Sequence, residues 1–358
     1  MLRKPPLRYG FRTATLSDGP AINALYNAIT GCERTLAHWH WLWHEPPAGP
    51  GVSFVIEHIP PSGAPPEIVG HHGVIRMGGR ANGTTIRLGK TENTMVRQDH
   101  RERFLYPRME REMLRMYRSE FDGVFSLRGP LSALRMRTAL GYRPGPRVTS
   151  EMWCHGRWGR LKSMGRCWWR SRRGIPHRLG EWDARTPRGE LWKHQLDSDL
   201  RSTIHRVNTQ SSHGLGVRVA KTPEFISWRY FHHPARCYAA KCLENICVVA
   251  HDYRHAILVL DEILPGDIAD QDHEFNWRQV LRAALESGYG AISFDLACTT
   301  SKHREALQRC GWTLLQASTF SGVSESEGLP IWIDESGALS EQLAPAHWTL
   351  GAGASEGP

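Results

Sequence analysis

Residues Trp41-Leu42-Trp43-His44-Glu45-Pro46-Pro47 have a counterpart in Trp228-Arg229-Tyr230-Phe231-His232-His233-Pro234. Each stretch reads aromatic, any residue, aromatic, with a proline six positions after the first aromatic. Proline cannot continue a helix and pushes the preceding residue toward extended backbone, so each stretch marks a helix end. The segments beyond each proline repeat as well. Val52-Ser53-Phe54-Val55-Ile56 and Tyr238-Ala239-Ala240-Lys241-Cys242 read as strands. Ile68 to Ile75 and Ile246 to Ala250 read as the next strands, and Thr91 to Val96 and Ala256 to Leu260 as the third.

Each third strand leads into a helix. Leu105, Met109, Met113 and Met116 recur at helical spacing in front, and Phe275, Val280, Leu281, Ala284 and Leu285 less regularly behind. Pro107 falls in the first turn of the front helix, where its missing N–H does no harm. Each copy closes with a strand, a helix and an aromatic after glycine: Val124 to Leu127, Leu131 to Leu140 and Gly141-Tyr142, then Ala291 to Phe294, Ser301 to Cys310 and Gly311-Trp312. The order β-β-β-α-β-α therefore appears twice.

The chain has 358 residues, which favours two domains. The divisions expected are 1–150, a connection over 151–189, a second domain over 190–335 and a tail over 336–358. No apolar run approaches the ~20 residues of a membrane span. The N-terminus carries no secretory signal. Eight scattered cysteines are too few for a disulfide framework, so a reducing, cytoplasmic setting is expected.

Charge is distributed unevenly. Residues 1–150 carry 21 Lys/Arg against 12 Asp/Glu, residues 151–188 carry 10 against 3, and residues 189–358 carry 14 against 21. A back part with net charge −7 argues against a protein gripping double-stranded nucleic acid along its length. A local anion site in the basic front fits better. The connection holds Trp153, Trp158, Trp168, Trp169 and Trp182 among its arginines. It reads as inter-domain packing, as contact with an anionic membrane surface, or as a stacking platform for single-stranded RNA.

The ordered pieces resemble the GNAT superfamily of acyl-CoA-dependent N-acyltransferases, in a tandem arrangement. The carrying residues are His40-Trp41-Leu42-Trp43 with Pro47, Thr94-Met95-Val96, His100-Arg101-Glu102-Arg103-Phe104-Leu105-Tyr106, and Thr138-Ala139-Leu140-Gly141-Tyr142-Arg143. Phe11 to Asp18, before an amphipathic helix at Ile22, Leu25 and Ile29, resembles that family's first strand and helix. The likeness covers the front copy more fully than the back. It implies an α/β fold with mixed sheets of the α+β kind, in two GNAT-like domains in tandem.

The resemblance also implies an activity: transfer of an acyl group from acetyl-CoA or another acyl-CoA to a small-molecule amine, by direct attack on the thioester. The pantetheine arm would pair with Thr94, Met95 and Val96. The pyrophosphate would meet Arg101, Glu102, Arg103, Phe104, Leu105 and Tyr106, since a helix N-terminus offers free amides and a positive dipole end. A base is needed to take the amine proton. Glu92 on the third strand is one candidate and His72 on its neighbour the other. Trp41, Trp43 and Trp228 would line the substrate cleft.

Two departures from the family pattern stand out. Glu102 and Phe104 occupy the positions of its loop glycines, and Arg137 and Leu307 the position of its acidic tyrosine. In the back copy, Pro265 to Glu274 carries acids where the front has arginines, so any acyl-CoA site belongs in front. These departures leave two further readings: a GNAT-fold binding or assembly module without catalysis, and a Fem-type transferase taking its donor from aminoacyl-tRNA.

No metal site is expected. Cys237, Cys242 and Cys247 are spaced by five, which alternates faces on an extended chain. His40 and His44 lack a third ligand. His71 and His72 would face opposite sides of a strand. Gly78-Gly79-Arg80-Ala81-Asn82-Gly83 is hairpin-turn chemistry rather than a phosphate loop.

Overall fold

In the computed structural model the described residues are 8–126, 131–145, 149–156, 184–185, 187, 192–210, 216–243, 246–253, 257–264, 273–296, 301–319, 330–333 and 348–349. Most of the Trp/Arg-rich connection, the acidic run 265–272 and the tail from 350 lie outside them.

The front half begins with β1 (Arg8–Thr13), α1 (Gly19–Thr30) and α2 (Leu36–His44). The Thr35 hydroxyl caps α2 by accepting from the His38 amide at 3.1 Å, and Pro46-Pro47 follow its end. Then come β2 (Val52–Ile59), β3 (Glu67–Ala81) and β4 (Thr84–Val96), all antiparallel neighbours. The β3–β4 hairpin turns at Asn82-Gly83, both in left-handed backbone, as a two-residue type I′ turn requires. The half closes with α3 (Leu105–Glu120), β5 (Gly123–Phe125), α4 (Leu131–Ala139) and β6 (Arg143–Pro144).

Next in the chain are β7 (Thr149–His155), β8 (Ala184–Arg185), α5 (Ser198–Gln210), β9 (Val217–Val219) and α6 (Pro223–Ile226), which runs on into a π-turn over Ser227–Phe231. After them come β10 (Ala239–Cys242), β11 (Cys247–Tyr253), β12 (Ile257–Leu264), α7 (His273–Glu286), β13 (Ala291–Leu296), α8 (Ser301–Arg309) and β14 (Trp312–Thr319). The chain ends in β15 (Pro330–Ile333) and β16 (Trp348–Thr349). Among the described residues no helix is long and apolar enough to cross a membrane.

These strands form two mixed sheets. The first has the order β1-β2-β3-β4-β5-β15-β6, with β9 on the far end of β3 and β16 on β9. The second has the order β10-β11-β12-β13-β7-β14, with β8 on β11. In both sheets the third repeat strand is parallel to the fourth: β4 to β5, and β12 to β13. The twofold β-β-β-α-β-α order read from the sequence is therefore present.

The strand beyond each parallel pair comes from elsewhere in the chain. Thr149–His155 lies between β13 and β14 of the second sheet, antiparallel to both. Pro330–Ile333 lies between β5 and β6 of the first, antiparallel to both. In the divisions expected from the sequence, β7 straddles the end of 1–150 and the start of the connection, yet it lies in the second sheet, and 190–335 includes β9 and β15 of the first.

The halves meet through the two repeated motifs. The Trp41 indole N–H donates to the Trp228 carbonyl at 2.9 Å, and the Trp228 indole N–H donates to the Trp41 carbonyl at 3.1 Å. The two rings stack with centroids 5.2 Å apart. Around them one apolar cluster takes Ile22, Leu42 and Leu88 from the front, Leu200, Ile204, Phe225 and Val249 from the back, and Ile331 and Ile333 from β15. Trp43 packs against Gly73: a β-carbon there would sit 2.1 Å from the indole, so only glycine fits. The opposite face of the first sheet is covered by α3, which buries Leu105, Met109 and Met113 as the sequence spacing predicts, but Tyr117 in place of the half-buried Met116.

Candidate functional site

β4 stays beside β3 as far as Val96, but beside β5 only across Leu88–Lys90. That pairing stops where β5 ends, at Phe125. Beyond it β4 carries a bulge: between the pairs Gly73–Glu92 and His71–Met95, β3 passes one residue and β4 passes two. The bulged Asn93 has φ +50°, a left-handed conformation that asparagine tolerates better than most residues. Two groups hold it. Arg34 donates to Asn93 Oδ1 at 2.7 Å, and His71 Nδ1–H donates to the Asn93 carbonyl at 2.8 Å.

The bulge divides the side chains of β4. Ile86, Leu88 and Met95 join the cluster shared with α1 and α2, and Lys90 and Glu92 fall on that face by strand alternation. Lys90 Nζ pairs with Glu92 Oε2 at 2.6 Å. Thr94 and Val96 turn to the α3 face.

On the α3 face lies a buried polar network. His72 shares hydrogen bonds with Thr94 Oγ1 at 2.5 Å and the Tyr117 hydroxyl at 2.7 Å. Glu110 Oε1 accepts from the Tyr142 hydroxyl at 2.7 Å and from Arg137 Nε at 3.2 Å. Arg137 also donates to Ser126 Oγ, just past β5, and to Thr94 Oγ1 at 3.4 Å on β4. Its guanidinium thus links β4 to the residue that follows β5. Burial works to raise the Glu110 carboxyl, but Arg137 and the Tyr142 hydrogen bond hold it below its ordinary value. Burial keeps the Tyr106, Tyr117 and Tyr142 phenols protonated.

Burial also depresses both histidines of β3, His71 to about 3 and His72 to about 4. Below the unfolded value of 6.5 the unfolded chain takes up protons that the folded chain refuses. Stability is therefore full above pH 6.5 and falls with acidification, by roughly 1.4 kcal/mol per pH unit for each histidine, down to about those folded values. Urea unfolding at a series of pH values should show this loss, and His72→Gln should remove its own share of the slope.

Beyond β4 the chain makes a short 3-10 turn over Gln98–Arg103. Arg97 is engaged by Glu67 and, at 2.8 Å, by Asp99, and Arg101 Nε donates to the Val96 carbonyl at 2.9 Å. The Glu102 and Arg103 side chains lie outside the described residues. Phe104 has φ +54°, so this position, where the resemblance places a glycine, keeps a glycine-like backbone. Its ring is 81% exposed and gains little from burial. Phe104, at the N-cap of α3, makes no side-chain cap bond to the first amides of that helix. Phe104→Gly should therefore relieve strain and raise stability by about 1 kcal/mol, read as a shifted denaturation midpoint.

The expected site residues separate into three groups. Thr94, Met95 and Val96 end β4 just past its bulge, with Arg101, Phe104, Leu105 and Tyr106 on the turn and helix after it. Glu92 and His72 lie on opposite faces of the sheet, and both nitrogens of His72 are bonded inside the core. Trp41, Trp43 and Trp228 were expected at a cleft. Instead they are buried, at 2%, 1% and 5% exposure: Trp41 and Trp228 against each other where the halves meet, and Trp43 against Gly73 and His71 within the first half. No pattern in the sequence singles out Arg34, Glu110, Ser126, Tyr117 or Tyr142. Arg137 had shown only as a missing tyrosine.

The second half repeats the bulge with different side chains around it. In β12 the extra residue is Asp261, between the pairs Ala250–Leu260 and Val249–Glu262. Its carboxylate meets His251 Nδ1 at 2.5 Å, and its carbonyl accepts from the Tyr230 hydroxyl at 3.2 Å. Buried Lys221 donates to Glu262 at 2.5 Å, while burial pushes its ammonium down. Cys242 and Cys247 face each other across the β10–β11 hairpin and form a disulfide, which their spacing along one extended chain had concealed. Among the described residues no three His, Cys, Asp or Glu side chains are grouped to hold a metal.

No family model and no curated protein matches this sequence. Solved structures do resemble it. One is a conserved protein of unknown function from Enterococcus faecalis V583, described as a probable N-acyltransferase: TM-score 0.61, 8% identity, covering 92% of this chain and 73% of that one. A GCN5-related N-acetyltransferase from Kribbella flavida gives 0.56 at 13% identity, covering 92% and 72%. One from Anabaena variabilis gives 0.56 at 8%, covering 91% and 73%. At such identities the likeness is one of fold, and the fold is of the GCN5-related N-acetyltransferase type.

Proposed function

We propose that this chain is an acyl-CoA-dependent N-acyltransferase whose two GNAT-like halves stand in tandem, with the reaction confined to the front half. The observation that carries this reading is the bulge of β4 at Asn93, beyond its last described pairing with β5, with the basic turn and the start of α3 following the strand. An extended pantetheine arm would lie along Thr94 to Val96, and the first amides of α3 suit a pyrophosphate. The left-handed backbone at Phe104 keeps the geometry such a loop needs, although Phe stands where the family has glycine. The similar structures are described as acyl- or acetyltransferases, which supports the same reaction class.

Of the two candidate bases, Glu92 is the better suited. It is partly exposed, whereas His72 is sealed and held neutral. The amine nitrogen attacks the thioester carbonyl carbon. The C–N bond forms as the C–S bond breaks, the amine proton passes to Glu92, and the sulfur leaves as thiolate. Lys90 keeps the Glu92 carboxylate in position.

Calorimetric titration with acetyl-CoA, joined to a thiol-release assay over a panel of small amines, tests the reading. Saturable binding and amine-dependent thiol release are expected, with turnover lost in Glu92→Gln and binding retained. The absence of saturable binding at millimolar donor would refute it.

A further inference from the structure

Arg34 belongs to the segment between α1 and α2 and is buried, at 8% exposure. A charge there needs a built surround, and α1 supplies it. Asn23, Tyr26 and Asn27 stand at i, i+3 and i+4, on one face of that helix. Arg34 Nε donates to Asn23 Oδ1 at 2.7 Å, and the guanidinium lies 3.8 Å over the Tyr26 ring. The two asparagines also fix the backbone of Arg34. Their side-chain amides donate to its carbonyl at 2.6 and 3.0 Å, and its own amide donates to Asn27 Oδ1 at 2.9 Å. From this anchorage Arg34 reaches across to the sheet and donates to Asn93 Oδ1 at 2.7 Å.

Asn93 is thereby clamped at two points, its side chain by Arg34 and its carbonyl by His71 Nδ1–H at 2.8 Å. The neutral His71 ring meets Ser53 Oγ at 3.2 Å through its other nitrogen. Burial holds that ring neutral, and the Arg34 charge adds to the effect. In a regular strand, residues 92 and 95 point to opposite faces. Here the bulge brings Glu92 and Met95 to the α1 and α2 face and turns Thr94 to the other. The direction of Glu92 therefore depends on the conformation of its neighbour. Asparagine tolerates left-handed backbone but does not impose it, so the clamp and not local preference decides that conformation.

We propose that Arg34 is a positioning residue of the acyl-transfer site: through Asn93 it fixes the bulge of β4, and with it the direction of the Glu92 carboxylate. This rests on the acyl-transfer reading and deepens it. The segment between α1 and α2 then belongs to the working site although it touches no reacting atom.

The test is steady-state acetyl transfer to the amine panel, joined to calorimetric binding of acetyl-CoA and to thermal melting. The variants are Arg34→Gln, Arg34→Lys, Asn93→Gly, and Arg34→Gln with Asn93→Gly. Arg34→Gln is expected to lower kcat about tenfold per folded molecule while the Kd for acetyl-CoA stays within about twofold. Arg34→Lys keeps a cationic donor and should recover part of the loss. Asn93→Gly takes up left-handed backbone without strain, so it removes the clamp from a folded chain and should lower kcat likewise. The double variant should lose no more than either single one, since each breaks the same bond. An unchanged kcat in Arg34→Gln would overturn the proposal, as would losses that multiply in the double variant. So would a fall in kcat matched by an equal fall in the fraction that binds acetyl-CoA, which marks a merely structural role. If the wild-type protein neither binds acetyl-CoA nor acetylates any amine, the acyl-transfer reading falls and this assignment with it. Wild-type turnover with an insensitive Arg34→Gln refutes only the positioning role.

Discussion

Arg137→Met should cost about 3–5 kcal/mol of folding stability, because it strands the Glu110 carboxylate in the core. Glu110 is wholly buried, and its ion pair with Arg137 Nε is what compensates its charge. The Tyr142 hydroxyl supplies one hydrogen bond but no charge. Adding Glu110→Gln to Arg137→Met removes the uncompensated anion at nearly constant volume and should restore most of the loss. Chemical denaturation of the two single variants and the double variant gives the coupling directly. Equal losses in Arg137→Met and the double variant would show that the pair is not what holds this region.

A chain ending at Thr319 should fail to fold its first half, although that half lies more than a hundred residues upstream. β5 is only three residues long, and on the side away from β4 its partner is β15. Ile331 and Ile333 belong to the core shared by both halves, and Trp332 packs on Tyr117 with ring centroids 5.7 Å apart. Losing three buried apolar side chains together costs about as much as the whole stability of a domain. The expected result is loss of cooperative melting and rapid proteolysis within residues 8–126. Ile331→Asp in the full chain is the gentler form and should act in the same direction. A truncated chain that melts cooperatively at the original temperature would show that the exchanged strand is dispensable.

The exchange explains why a division of the chain into consecutive blocks follows the sheets only in part. Each half reads as a complete repeat up to its second helix, since local periodicity and turn residues carry that far. β7 and β15 are short apolar segments whose place depends on a partner strand made elsewhere in the chain. A run such as Pro330-Ile331-Trp332-Ile333 holds no record of which sheet will accept it. The tryptophans were misplaced for a related reason. Their pattern announces two helix ends, while their burial depends on the two motifs meeting face to face.

What the amino-acid sequence determined by itself was local and periodic: the repeated order of strands and helices, the Asn82-Gly83 hairpin, the apolar stripe of α3, and a basic front against an acidic back. These are legible because backbone preference and the periods of helix and strand act over a few residues. Only the tertiary structure decided that β7 and β15 change sheets, that Trp41 and Trp228 bind each other, and that Glu110, Arg137 and Tyr142 gather in the core beside α3. Those outcomes come from burial and pairing between residues far apart in the chain, whose energies depend on distances that no local pattern contains.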